Sequence, residues 1–186
     1  MTILTVQLIV EFSKRVKGFE QLTREDQITL LKACASEVMM LRSSRKYDIK
    51  TDSILFANNQ PFTRANYRSA YIGDIADAMF NFCKSIYILR LDESEYALLT
   101  ALTIFSDRPN LRDPKKVEAI QDYYLSLMQA YVESHREPGQ CYFARMLSIL
   151  TELRALGIVN SNVCFSLKVK NKRLPDFLAE IWDVQD

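Results

Sequence analysis

Residues Phe19–Lys32 read FEQLTREDQITLLK, and the reading of this stretch decides the fold. Thr23 is the residue type that caps a helix N-terminus, because its hydroxyl accepts a backbone N–H that has no partner within the helix. Asp26 follows at the spacing of a near capping box. Apolar residues then recur at helical spacing as Ile28, Leu31, Cys34, Ala35, Val38, Met39 and Leu41. No Gly or Pro interrupts the run as far as Arg45, so the pattern predicts one long central helix. Glu37 and Arg42 stand among these apolar residues, and a charge buried there needs a partner.

Upstream, Met1 to about Lys17 is apolar on most faces, which predicts a helix buried in the middle of a bundle. Gly18 suits the left-handed position that ends such a helix. The opening MTILTVQLIVEF has no basic leader and no small-residue cleavage site, and Gln7 and Glu11 interrupt it, so it does not read as a signal peptide. It is also too short to span a bilayer. Downstream, Ser53–Phe62 breaks the helical pattern: Ile54, Leu55 and Phe56 precede an Asn58-Asn59 turn and Pro61-Phe62, which predicts a small β-hairpin. Helical patterns resume over Asp74–Leu89, Glu93–Phe105, Pro114–Arg136 and Gly139–Phe165, with a loop at Ser106–Pro114. Val117, Ile120, Tyr124, Leu127 and Tyr131 form one stripe, and Met146, Ile149, Leu150 and Leu153 another. The whole reads as an all-α, three-layer antiparallel helical sandwich with one small β-hairpin.

Composition narrows the function. The 186 residues suit one domain over 1–186, and 48% hydrophobic with 25% charged residues is a globular balance. A net charge of +1 gives no argument for nucleic-acid contact by this domain. Cys34, Cys83, Cys141 and Cys164 form no CxxC pair and read as small buried hydrophobes rather than metal ligands or a disulfide framework. The single histidine, His135, lies on a polar helix end. With no Gly-rich phosphate loop and no paired metal ligands beside it, no catalytic or metal site is legible, and an enzyme is not expected.

The last element stands apart. After the polar break Asn171-Lys172-Arg173, Leu174, Phe177, Leu178, Ile181 and Trp182 fall on one helical face, with Asp176, Glu180 and Asp183 elsewhere on it. A short amphipathic helix behind a polar hinge takes its stability from docking.

Together these two segments resemble the nuclear-receptor ligand-binding domains. The family fingerprint of an aromatic residue, Leu, Asp-Gln and Leu-Leu-Lys matches Phe19, Leu22, Asp26, Gln27, Leu30, Leu31 and Lys32. The family's activation-helix pattern matches Phe177, Leu178, Ala179, Glu180, Ile181 and Trp182. EVMMLR, DSILFANN, EYALLTA, SILTELRALG and CFSLK further resemble the ecdysteroid-responsive branch of the family. The resemblance implies that the chain begins within the family's third helix, with the earlier helices, the linker and the zinc-based DNA-binding module lying outside it.

It further implies a ligand-activated transcription factor domain, nuclear, that binds a steroid hormone: an ecdysteroid such as 20-hydroxyecdysone or ponasterone A. The polar ligand contacts would be Thr2, Thr5, Arg42, Tyr67, Asn160 and Trp182; Met39, Met40, Phe56, Ala57, Cys164 and Leu167 would line the walls. A hydroxylated steroid needs such an apolar cavity with a few placed donors and acceptors. The alternative for Thr2 and Thr5 is back-bonding to helix carbonyls, and for Arg42 a pairing with Glu37 or with a carboxylate elsewhere. LxxLL coactivators, and corepressors, would use a groove of Val10, Ile28, Leu31 and Leu178, clamped by Lys14, Lys32 and Glu180, whose charges suit the two ends of a docked helix. A heterodimer partner of the ultraspiracle or retinoid X receptor class would meet Ile149, Leu150, Leu153 and Leu156; the alternative reading is that the stripe is simply core, and both can hold on a helix long enough to show one side inward and one outward. Gly157-Ile158-Val159-Asn160 departs from the family's Gly-Asn-Gln-Asn and removes two polar groups near the steroid tail. The competing expectation is a ligand-independent interaction module of the same fold.

Overall fold

The computed structural model describes residues 3–55, 60–68 and 73–169, with side chains over 6–55, 60–68 and 75–160. The described elements are α1 (Ile3–Arg15), a 3-10 turn (Phe19–Gln21), α2 (Arg24–Ser44), β1 (Tyr47–Asp48), β2 (Ser53–Leu55), β3 (Pro61–Thr63), α3 (Arg64–Tyr67), α4 (Gly73–Leu89), α5 (Glu93–Ile104), α6 (Pro114–His135) and α7 (Tyr142–Val169). The long central helix forms as the sequence predicts. Thr23 caps α2 by accepting from the Asp26 N–H at 3.2 Å, and ten of its residues, among them Leu30, Cys34, Glu37, Val38 and Leu41, are buried. It packs against α1, α4, α5 and α7. α5 packs in turn against α6, α4 and α7 pack against each other, and α7 also meets α5 and α6.

The fingerprint residues turn out to be structural fasteners. The buried Asp26 accepts from the backbone N–H groups of Arg112 (2.6 Å) and Asp113 (3.1 Å), tying the start of α2 to the start of α6. Gln27 donates from its amide to the carbonyls of Phe19 (2.9 Å) and Leu22 (3.2 Å), which closes the 3-10 turn onto α2. Phe19 and Leu22 are buried, and the Phe19 ring lies 6.4 Å from Phe105. Gly18 takes φ +100°, and its Cα faces the Ile120 side chain so closely that a Cβ would come within 3.0 Å of it.

The Ser53–Phe62 hairpin is present and gains a strand. β2 pairs antiparallel with β3 (Ile54 opposite Phe62) and with β1 (Tyr47 opposite Ile54). The Asn58-Asn59 turn, with Phe56 and Ala57, lies outside the described residues. Neither β1 nor α3 is legible in the sequence, because two and four residues are too few to show a period.

Four expectations are corrected. α1 is not buried all round: Val6, Ile9 and Ser13 face inward, as does Val16 just beyond its end, while Leu8 is 42% exposed. The inward stripe of α6 is Val117, Tyr124, Met128 and Val132; Leu127 faces out and Tyr131 spends its hydroxyl on Asp92 at 2.9 Å. Cys34 and Cys83 are buried thiols, but Cys141 is exposed where α7 begins, and the Cys164 side chain lies outside the described ones. Residues 139–141 do not join α7, whose described start is Tyr142.

Candidate functional site

Five of the twelve candidate ligand contacts have described side chains: Met39, Met40, Arg42, Tyr67 and Asn160. Thr5 lies on α1 and Cys164 and Leu167 on α7 by their backbones, whereas Thr2, Phe56, Ala57 and Trp182 lie outside the described residues. Among these five, Arg42 lines a cavity of about 210 Å³ between α1, α2 and α5, together with Ile9, Phe12, Leu41 and Tyr96. Arg42 is exposed in the last turn of α2, and the alternative pairing with Glu37 does not occur. The buried Glu37 belongs instead to Arg108, in the loop after α5, whose Nη1 and Nη2 donate to its two carboxylate oxygens at 2.8 and 2.5 Å.

Met40 is buried and Met39 half-buried, both packed in the core that α2 shares with its neighbours. Asn160, on α7, donates from its amide to the Ser36 hydroxyl at 2.9 Å, which bonds α7 to α2. Tyr67, at the end of α3, lies half-buried with its ring edge-on to Phe62 (6.4 Å) and Phe80 (5.4 Å). Burial, with a smaller contribution from Cys83, pushes the Tyr67 phenol up to about 12, so it stays protonated and able to donate at neutral pH.

Of the coactivator-groove candidates, Ile28 is 45% exposed on α2, and Val10 and Leu31 are half-buried on α1 and α2. A side chain as apolar as Ile28, held open to solvent, is the kind of surface an amphipathic helix covers. Lys14 is exposed at the end of α1 and pairs locally with Glu11 at 3.1 Å; Lys32 is half-buried. Leu178 and Glu180 lie outside the described residues.

The dimer candidates are corrected. Ile149, Leu153 and Leu156 point into the core, each 5% exposed or less, and only Leu150 is half-buried. The helical period explains it: these three repeat at steps of four and three and form the face that α7 turns to α2, α4, α5 and α6. The outward face carries Thr151, Glu152, Ala155, Ile158 and Val159, with Ile158 58% exposed.

Sequence reasoning missed two ion-pair networks. Glu95, fully buried, forms a capping box with Asp92 and holds the Arg136 guanidinium through both oxygens, tying the start of α5 to the end of α6. Arg64, on α3, donates to Asp52 at 2.6 Å, Asp77 at 3.2 Å and Asn81 at 3.1 Å. Their partners are 12 to 41 residues apart in sequence, and no local pattern marks them. Among the described residues no cluster of His, Cys, Asp and Glu could hold a metal ion. Among them, too, no helix is long and apolar enough to cross a membrane.

The chain matches the family described as the ligand-binding domain of nuclear hormone receptor over residues 1–170. It is 56% identical to the ecdysone receptor of Heliothis virescens and 53% identical to that of Drosophila melanogaster, each over 99% of this chain. It is 53% identical to the ecdysone receptor of Chironomus tentans over 100% of this chain. It spans 32%, 21% and 35% of the length of these three relatives.

Proposed function

The chain belongs to the family of nuclear hormone receptor ligand-binding domains, a family of binding domains and not of enzymes, and on that premise we propose that it binds an ecdysteroid and passes that event to transcription. The observation that carries the reading is the 53–56% identity to ecdysone receptors across nearly the whole chain. Arg42 at the cavity between α1, α2 and α5, and the neutral Tyr67 phenol, supply donors of the type a hydroxylated steroid with a ring ketone would use. Thr2, Thr5, Asn160 and Trp182 complete the proposed polar set, with the apolar walls as the sequence places them.

Ligand binding would seat the Leu174–Val184 helix across the pocket and bring Glu180 opposite Lys14. An LxxLL helix would then lie on Val10, Ile28, Leu31 and Leu178, with Glu180 at its N-terminus and the two lysines at its C-terminus. The heterodimer partner, of the ultraspiracle or retinoid X receptor class, would meet the outward face of α7 rather than the inward leucines. The domain would act in the nucleus.

The test is a titration with 20-hydroxyecdysone, read by the emission of Trp182, the chain's only tryptophan. A saturable change is expected; no change in folded protein would sink the hormone reading. Glu180→Ala is expected to abolish LxxLL peptide binding and leave hormone binding intact, and loss of both would argue against the clamp. A second reading, a ligand-independent module, is favoured by one observation: the cavity at Arg42 has about 210 Å³, below the range of ~300–1,000 Å³ typical of small-molecule sites. Peptide binding of equal strength with and without 20-hydroxyecdysone would favour it.

A further inference from the structure

Four aromatic and ionic groups close a ring behind Tyr67. The Phe80 side chain, on α4, is fully buried. The Arg64 guanidinium carbon lies 5.1 Å from the centre of its ring, and the rings of Tyr67 and Tyr47 meet it edge-on at 5.4 and 6.2 Å. Tyr47 donates its hydroxyl to one Asp52 oxygen at 2.7 Å, and the other oxygen accepts from Arg64 Nε at 2.6 Å. Arg64 also reaches α4 through Asp77 and Asn81. Arg68 supports it from the next turn by donating to both Asp77 oxygens, at 3.0 and 2.8 Å.

The four residues of α3 cannot hold themselves in place, since a helix this short has too few internal bonds to offset its nucleation cost. Its position is therefore set from outside. Arg64 and Tyr67 stand three residues apart on α3 and so share a face, and that face rests on Phe80. Arg64 is the side chain that bonds this face both to the β1–β2 loop and to α4.

We propose that Arg64 is a positioning residue for steroid recognition: by clamping α3 to Asp52 and Asp77 over the Phe80 ring, it fixes where the Tyr67 phenol is presented, and so sets the affinity for a hydroxylated steroid. The inference rests on the ecdysteroid reading for its ligand, but the placement of Tyr67 is measurable without one. The clamp is ionised at neutral pH: burial disfavours the Asp52 carboxylate, but hydrogen bonds from Tyr47 and Arg64 outweigh it and hold its pKa below the ordinary value. Bonds from Arg68 and Arg64 lower Asp77 likewise.

The experiment incorporates 3-fluorotyrosine into the whole chain, assigns the Tyr67 fluorine resonance with Tyr67→Phe, and compares Arg64→Met, Arg64→Lys and Arg68→Met. Binding of 20-hydroxyecdysone is measured on each and on the double variant Arg64→Met/Tyr67→Phe. Arg64→Met is expected to move the Tyr67 resonance and to weaken binding about tenfold, with Tyr67→Phe adding almost nothing on top, as for two residues that act as one unit. Arg64→Lys, which keeps the charge but loses the fork that reaches two carboxylates, should fall between. Arg68→Met, which loosens Asp77 but leaves the Arg64 bond to Asp52 in place, should weaken binding less than Arg64→Met does. An unmoved Tyr67 resonance in folded Arg64→Met overturns the positioning role. Penalties that multiply in the double variant overturn it as well, since a purely structural effect adds to the loss of the phenol. A native chain that binds no 20-hydroxyecdysone overturns the hormone reading and the ligand half of this inference together, while the resonance still decides whether Arg64 places Tyr67.

Discussion

Glu37 is the residue whose surroundings matter most at the scale of single side chains. It is buried on α2, paired through both oxygens with the buried Arg108, and its Cγ would lie 2.9 Å from a Cβ placed at Gly157 on α7. Removing one partner leaves the other charged and unpaired in the core. Arg108→Ala is therefore expected to lower unfolding free energy by about 3–5 kcal/mol in a urea melt, and Glu37→Met/Arg108→Met by much less, because no charge is stranded. At Gly157 two effects compete. Exchange of a mid-helix glycine for alanine ordinarily stabilises by roughly 1 kcal/mol, but overpacking a tight contact costs about 1–3 kcal/mol. Arg108 holds Glu37 by two bonds and a third runs to the Thr103 carbonyl, so the carboxylate cannot swing aside and the overpacking wins. Gly157→Ala should melt lower than the native chain, and a higher melting temperature would show that Glu37 has room. The thiols test burial directly. Desolvation pushes both Cys34 and Cys83 up to about 12, so at pH 8 neither presents thiolate, whereas Cys141 is exposed. Mass mapping after brief iodoacetamide treatment of the native chain should find Cys141 modified and Cys34 and Cys83 intact; modification of either buried thiol under native conditions contradicts this packing.

At the scale of elements, Phe19–Lys32 works as a joint more than as a helix start. Asp26 supplies the acceptor for two backbone N–H groups that open α6, and Gln27 closes the 3-10 turn. Asp26→Ala removes the acceptor of two part-buried bonds, and a bond to a charged acceptor is worth about 1.5–3 kcal/mol. Faster amide exchange at Arg112 and Asp113 is expected, together with a lower melting temperature. Unchanged exchange at both amides would mean that water or another acceptor replaces the carboxylate. The same stretch shows how far an element is legible. Thr23 as cap and the helix to Arg45 follow from local chemistry, since capping and 3.6-residue spacing need only nearby residues. The role of Asp26 does not follow, because its partners lie 86 and 87 residues away. The dimer stripe on α7 failed for a related reason: a periodic apolar face shows that a helix has an inside, not which neighbours make it so.

The whole molecule carries one pH dependence that the geometry fixes in sign. In the folded chain the Asp52 carboxyl is depressed by hydrogen bonds from Tyr47 and Arg64, and the Asp77 carboxyl by those from Arg68 and Arg64, against the opposing effect of burial. A group depressed on folding stabilises above its unfolded value and loses that contribution as pH falls through the folded one. The clamp's contribution should therefore be level near neutrality and decline from about pH 4 downward, the ordinary range for aspartate. The difference in melting temperature between the native chain and Arg64→Met, followed from pH 7 to pH 3, should shrink toward zero at the acid end. A difference that stays constant would place the effect of Arg64 outside these carboxylates. Both groups are about half exposed, so the effect is modest and screened by salt.

The sequence by itself determined the helical class, six of the seven described helices to within a few residues, the hairpin and the family, because periodicity, caps and short motifs are written in neighbouring residues. Only the tertiary structure decided that Glu37 belongs to Arg108 and not to Arg42, that Ile149, Leu153 and Leu156 are core, and that Arg64, a residue no motif marks, bonds α3 to Asp52 and Asp77. The physical reason is range. An N-cap or an amphipathic stripe is settled within one or two helical turns, whereas an ion pair or a buried face is settled by whichever distant segment the packed layers bring within about 4 Å.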